Sequence, residues 1–233
     1  MKKIIVLAPA LPRWQEVNAI KKSLSFLENE YSLVFLDPLV DAIKNSEKVN
    51  DFSLWEKRIG KELDHCVALI GFSLGGIILR RCFNFLEKLN KKIILISSPE
   101  KINASLINQL KKIINHANKG EVNLAIEEHS KSIFFPSSPL KKRIKPKDKE
   151  IICKRLSIGL KIVLDKDNYS DEHKNSSDDW VRLVGEKSKL VNIKHITYQE
   201  KKCIIIPNAG MRILQDNPVF CQSIIKEALR EIK

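Results

Sequence analysis

Six short apolar runs, separated by stretches of helical period, decide what this chain can become. Residues 4–7, 32–36, 67–70, 93–96, 181–184 and 204–206 are each three to five apolar residues long, with few polar interruptions. Runs of that kind read as strands buried on both faces. Between them apolar residues recur at helical spacing. Val17, Ile20, Leu24 and Leu27 share one face, Leu54, Ile59 and Leu63 another, and Ile77, Ile78, Phe85 and Leu89 a third. Strands that alternate with amphipathic helices form a parallel sheet covered on both sides. The expected fold class is therefore α/β: a doubly wound, mostly parallel sheet of about six strands.

The alternation breaks after Ile96. From Glu100 to about Val163 no strand is convincing. Leu106, Leu110, Ile113 and Ile114 fit one helix, residues 122–133 a second and residues 152–163 a third. Phe134-Phe135-Pro136-Ser137-Ser138-Pro139 has the composition of a loop. An all-helical insertion between the fourth and fifth strands is a natural cap. The expected division is a core of residues 1–99 and 164–233 with a helical cap of residues 100–163. Residues 165–179 are polar and read as a linker back to the sheet.

With 233 residues, 43% hydrophobic and 30% charged, the chain has the make-up of a packed, soluble domain and not of a disordered one. No apolar run approaches the roughly 20 residues of a membrane-spanning helix. Lys2-Lys3, the apolar run and Ala8-Pro9-Ala10 imitate a signal peptide, but the run is short and interrupted by Pro9, so a buried strand is the better reading. Lys and Arg outnumber Asp and Glu by 41 to 28, a formal charge of +13. Such a balance suits an acidic partner. It is equally what an AT-rich genome produces, since Ile, Asn and Lys are all abundant. No arginine-rich stripe interleaved with aromatics points to nucleic acid. The five cysteines are scattered, with no C-x-x-C pair, so neither a disulfide framework nor a zinc site is indicated. A reducing, cytoplasmic compartment is expected, with no cofactor and no metal.

The most specific motif is Gly71-Phe72-Ser73-Leu74-Gly75-Gly76, which follows the third apolar run and opens a helical stretch. This is G-x-S-x-G in the context it needs. The strand-to-helix turn is so tight that residues two before and two after the serine must be small, and the hydroxyl then stands exposed at the helix start. Ser73 is the candidate nucleophile. The Leu74 N–H is the candidate oxyanion donor, aided by the helix dipole.

On these residues the chain resembles the α/β-hydrolase family. Within it, Ile70 to Gly76 and Ser97-Ser98-Pro99 are similar to the elbow and following strand end of the biotin-pathway carboxylesterases that act on pimeloyl-acyl-carrier-protein methyl ester. Gly159-Leu160-Lys161-Ile162-Val163 resembles their last cap helix, Arg182-Leu183-Val184-Gly185 their acid-bearing strand and Asn217-Pro218-Val219-Phe220-Cys221 the start of their last helix. The resemblance implies a Ser-His-Asp triad, and here two members are replaced. Serine stands at the acid position in Gly185-Glu186-Lys187-Ser188, and methionine at the base position in Ala209-Gly210-Met211-Arg212. Near the start, where the family has His-Gly, this chain has Ala8-Pro9-Ala10, which makes the Ala10 N–H the second candidate oxyanion donor. Residues 4–7 would already be the family's third strand, so its first antiparallel strands are expected to be missing.

Methionine accepts no proton near neutral pH, and serine carries no charge to stabilise an imidazolium. Losing a triad base costs on the order of 10⁶ in kcat, so a turnover of about 10 per second falls to about 10⁻⁵. Of His65, His116, His129, His173 and His195, only the two in the cap, His116 and His129, are placed to reach the serine. A surface position is the default expectation for all five, His195 among them. Two readings follow. One is a pseudo-hydrolase that keeps fold, elbow and pocket and binds a small acyl ligand or acyl carrier protein. The other is an active serine esterase or thioesterase on carrier-bound acyl esters, with a recruited base. Trp14, beside the expected site mouth, hints at an apolar ligand. The basic run Lys141, Lys142, Arg143, Lys145 and Lys147 is the candidate surface for an acidic carrier. A monomer is expected.

Overall fold

A computed structural model describes residues 1–44, 51–138, 144–169, 180–197 and 203–230. Its centre is a sheet of six strands: β1 (Lys2–Leu7), β2 (Tyr31–Leu36), β3 (Cys66–Phe72), β4 (Lys92–Ile96), β5 (Val181–Gly185) and β6 (Cys203–Ile206). All five pairings are parallel and the order is β2-β1-β3-β4-β5-β6. Each expected apolar run is thus a strand. Successive side chains alternate between faces, as the pleat requires. Ile5, Leu7, Leu69 and Leu95 enter one core, and Ile4, Val6, Ile70, Ile96 and Leu183 the other. The second core is closed by α1 (Val17–Leu24), α9 (Ile213–Asp216) and α10 (Pro218–Arg230). The first is closed by α3 (Phe52–Gly60) and α4 (Leu74–Arg81), and by helices of the insertion. Short helices α2 (Val40–Lys44) and α5 (Phe83–Glu87) complete the connections.

Four local expectations need correction. β2 and β6 are edge strands, so they are not buried on both faces; Ile205 is 46% exposed. The helical stretch through Ile77 and Leu89 is two helices, because the backbone at Cys82 leaves helical geometry between α4 and α5. Leu63 lies past the end of α3. The start of the polar linker is not a plain connection either: Lys166–Tyr169 form a 3-10 turn. Asn168 is buried and donates to the Ile162 carbonyl at 2.6 Å, and the Tyr169 hydroxyl donates to the Val163 carbonyl at 2.7 Å. Residues 170–179 lie outside the described residues.

From β1 the chain runs outward to β2 and then returns to β3 on the other side of β1. The connections therefore diverge between β1 and β3, and ligands of open α/β sheets gather at the C-terminal strand ends beside such a point. Leu7 pairs with Gly71, which sets the loop after β1 beside the turn after β3. Between β4 and β5 the described residues form α6 (Ala104–Asn118), α7 (Val122–Phe134) and α8 (Lys149–Leu164), with no strand among them. The insertion leaves the sheet where the Glu100 and Lys101 N–H groups donate to the His195 carbonyl.

One ion pair fixes α8 over the sheet ends. The Arg155 guanidinium donates to both carboxylate oxygens of Asp37 at 2.9 Å and, through Nε, to the Leu11 carbonyl at 2.8 Å. Both side chains are nearly buried, at 7% and 12% exposure. A two-pronged guanidinium–carboxylate contact is the strong, directional form of a charged hydrogen bond. It ties α8 to the loops that follow both β1 and β2. Gly159 lets the same helix approach closely, since a Cβ there would lie 2.7 Å from the Ala10 Cβ.

Removing one member of a buried pair strands the other charge, at a cost of about 3–5 kcal/mol. Asp37→Ala should therefore lower the unfolding free energy by about 3 kcal/mol, read from the midpoint of a urea titration. The double change Asp37→Leu with Arg155→Met should be markedly less costly, because no charge is left behind.

Candidate active site

The turn from β3 to α4 puts Ser73 at φ +48° and ψ −111°, a conformation rare for a residue with a side chain. The surroundings hold it there. The Ser73 N–H donates to the Ile96 carbonyl at 3.0 Å, and its carbonyl accepts from the Gly76 and Ile77 N–H groups and from Ser98 Oγ. Glycine is required around it for space. A Cβ on Gly71 would lie 2.6 Å from the Gly76 Cα, and one on Gly75 would strike the Leu7 carbonyl oxygen. These are the two positions, two before and two after the serine, that the motif keeps small. Among the described residues the Ser73 hydroxyl makes no hydrogen bond. The N–H groups of Leu74 and Ala10 are likewise without a protein acceptor.

Ser73 opens onto a cavity of about 1040 Å³. Ala10, Trp14, Phe72 and Met211 line it from the sheet side. Leu110, Ile126, Ile133 and Leu160 are among those lining it from the insertion. The cavity lies between the C-terminal strand ends and the helices expected to cover them.

Ser188 and Met211 come together. Ser188 follows β5 and Met211 follows β6, and Ser188 Oγ lies 4.0 Å from Met211 Sδ. Ser188 is 4% exposed, and its hydroxyl oxygen accepts the Val191 N–H at 3.2 Å. Met211 lines the cavity with Ser73, and its carbonyl accepts a hydrogen bond from Ser97 Oγ at 2.9 Å. Neither group titrates near neutrality. Glu186, the nearest carboxylate in sequence, is turned to the Asn208 N–H at 2.8 Å and does not line the cavity.

The histidines separate clearly. His129, on α7, is buried and lines the cavity. Burial alone pushes its imidazole down to about 4, so it is neutral at pH 7, and among the described residues its ring makes no hydrogen bond. His116 lies outside the lining and pairs with Glu121 at 2.6 Å. His195 is not at the surface, as expected from sequence, but 3% exposed in a short 3-10 turn. Its Nδ1 accepts the Asn192 N–H at 3.2 Å, its Nε2 is buried without a partner among the described residues, and desolvation holds the ring below its ordinary range. It does not line the cavity. His65 is exposed just before β3, at the far end of the sheet. His173 lies outside the described residues, as do Lys141, Lys142 and Arg143.

Sequence reasoning missed three cavity-lining arginines, Arg13, Arg155 and Arg212. Arg155 was signalled by its place within the apolar pattern of residues 152–163, where a lone arginine needs a buried partner. Arg212 carried a signal too, standing next to the residue at the base position.

No family model matches the sequence, and no curated protein matches it. Solved structures do. The α/β-hydrolase MGS-M2 from a Medee basin deep-sea metagenome superposes with a TM-score of 0.67 at 12% identity, over 100% of this chain and 90% of that one. The hydrolase olei00960 from Oleispira antarctica gives 0.68 at 12% identity, over 99% and 91%. MenH from S. aureus gives 0.57 at 16% identity, over 99% and 94%. At these identities the likeness is one of architecture, and with the strand order and the elbow described above it establishes that this chain has the α/β-hydrolase fold.

Proposed function

We propose that the chain is a pseudo-hydrolase: it binds an acyl ligand in the cavity beside Ser73 and does not turn it over at a useful rate. The observation that carries this reading is the pairing of Ser188 with Met211, Oγ to Sδ at 4.0 Å, where the resemblance to the biotin-pathway carboxylesterases would place an acid and a base. A serine is activated by a base within hydrogen-bond reach, and the Ser73 hydroxyl has no hydrogen-bond partner among the described residues. The apolar lining supports an acyl chain. The same resemblance suggests that the chain arrives on acyl carrier protein, with the basic run through Lys141, Lys142 and Arg143 as the docking surface, in a reducing cytoplasm. The helical insertion then acts as the cap of the site.

A second reading, an active esterase or thioesterase on carrier-bound acyl esters, is favoured by one observation. His129 lines the same cavity as Ser73 and is neutral there.

Hydrolysis of p-nitrophenyl butyrate separates the two. The pseudo-hydrolase reading expects a parent turnover near 10⁻⁵ per second, the remnant left when a base is lost from about 10 per second. Rebuilding the pair by Ser188→Asp with Met211→His should raise that rate by about 10²-fold or more, the usual contribution of a positioned acid–base group. The Val191 N–H that now bonds Ser188 Oγ is available to a carboxylate at the same place. A parent that already turns over several times per second overturns the reading.

If His129 is instead the base, its protonation sets the acid limb of the rate profile. The depressed value means the ring keeps accepting protons from Ser73 until the pH falls to about 4, well below the ordinary histidine value of 6.5. The parent's kcat/KM should then hold from pH 7 to about 5 and fall near 4, and His129→Gln should abolish it. A limb near 6.5, or unchanged activity in His129→Gln, would reject His129 as the base.

A further inference from the structure

The cations that line the cavity are not equivalent. Arg13 is held by Glu16 at 2.8 Å and Arg155 by Asp37 at 2.9 Å. Among the described residues Arg212 has no such partner. Its guanidinium carbon lies 4.2 Å from the centre of the Phe134 ring, stacked on the last residue of α7. Its Nε is buried with nothing to donate to, and among the described residues no carboxylate or carbonyl bonds the rest of the head. Asp216, four residues on, is engaged with the Gly210 N–H at 2.9 Å. The described acidic residues of the lining are Glu16, already paired, and Asp148 at the exposed end beside Lys145 and Lys147.

A guanidinium removed from water keeps its charge and needs an anion or several acceptors. Stacking on an aromatic ring holds its plane and leaves the edge of the fork open, the geometry that matches a carboxylate. Part of the cavity wall is aliphatic: Leu110, Ile126, Ile133 and Leu160 line it and offer no polar side-chain atom, beside polar residues such as His129, Ser130 and Ser132. A cavity of about 1040 Å³ has room for an extended chain as well as a head. We infer that the ligand is an amphiphile with a carboxylate head on an alkyl chain, its head held by Arg212 and its chain by the aliphatic walls. The inference rests on the reading of the cavity as an acyl site and adds the charge of what enters it.

The probes are dodecanoate and dodecan-1-ol, alike in chain and different in charge, titrated calorimetrically into the whole protein at low salt. The parent should bind dodecanoate about 10- to 100-fold more tightly, the yield of a hydrogen bond to a charged group. Arg212→Met keeps the apolar stem and should erase that preference while leaving dodecanol binding within about twofold. Arg212→Lys keeps a point charge without the fork and should retain part of it. The preference should survive 1 M salt, which screens the exposed Lys145 and Lys147 far more than a half-buried site. That salt measurement uses the parent alone, so it stands even if Arg212→Met does not fold. Equal affinities in the parent, a preference lost in 1 M salt, or a preference kept by Arg212→Met would each overturn the assignment and leave the acyl site standing. Binding of neither probe would remove the acyl site and this inference together.

Discussion

The structure depends on one close approach, that of α4 over β1. Gly75 lies so near the Leu7 carbonyl that no side chain fits between them. That contact lets the chain turn from β3 into α4 within a single residue, and the residue at the turn must then adopt a left-handed backbone. Ser73 takes the strain. Its cost, of the order of 1–3 kcal/mol, is offset by the bond to the Ile96 carbonyl and those from Gly76, Ile77 and Ser98 that hold the turn. The register follows. With Leu7 opposite Gly71, the loop carrying Ala10 and the turn carrying Ser73 leave the sheet side by side, and the cavity forms where their connections part.

The sheet was legible in the sequence because parallel strands are buried and so must be apolar throughout. All six runs became strands with bounds moved by one or two residues. What periodicity could not supply was position within the sheet. Residues 32–36 and 204–206 are as apolar as the central runs, yet they form the edges, since apolar content reports that a strand is packed and not how many neighbours it has. The break at Cys82 was hidden for a related reason: a helix that bends around a core keeps its apolar stripe. The site was legible where a motif dictates backbone shape, at Ser73 and its glycines. It was illegible where function rests on pairing between distant segments. Nothing near Asp37 announces Arg155, and nothing near His195 shows that its ring would turn inward to cap Asn192.

On the pseudo-hydrolase reading proposed above, the retained and replaced parts of the site divide along a physical line. The elbow is built from backbone bonds and glycine contacts that also hold β3, β4 and α4 together, so its loss would cost stability as well as chemistry. The Ser188 and Met211 positions are side chains at the ends of strands, and their replacement leaves those strands intact. Ser188 still bonds the Val191 N–H, and the Met211 backbone still accepts from Ser97. These two side chains can therefore differ without disturbing the bonds that hold the elbow.

The insertion is fastened at two separate points. α8 is held through Arg155 to Asp37 and to the Leu11 carbonyl. The residue after α7 is seated against Gly210, so tightly that a Cβ there would collide with the Phe135 carbonyl. A hinged flap needs a free edge, and here the covering layer is engaged with the loops at the sheet ends both after α7 and along α8. Swinging α8 outward would strip a desolvated carboxylate of its cation. The covering helices therefore behave as a fixed wall. On the acyl-site reading proposed above, a ligand then meets a roof already set in place by the Arg155–Asp37 pair and has to fit the space beneath it.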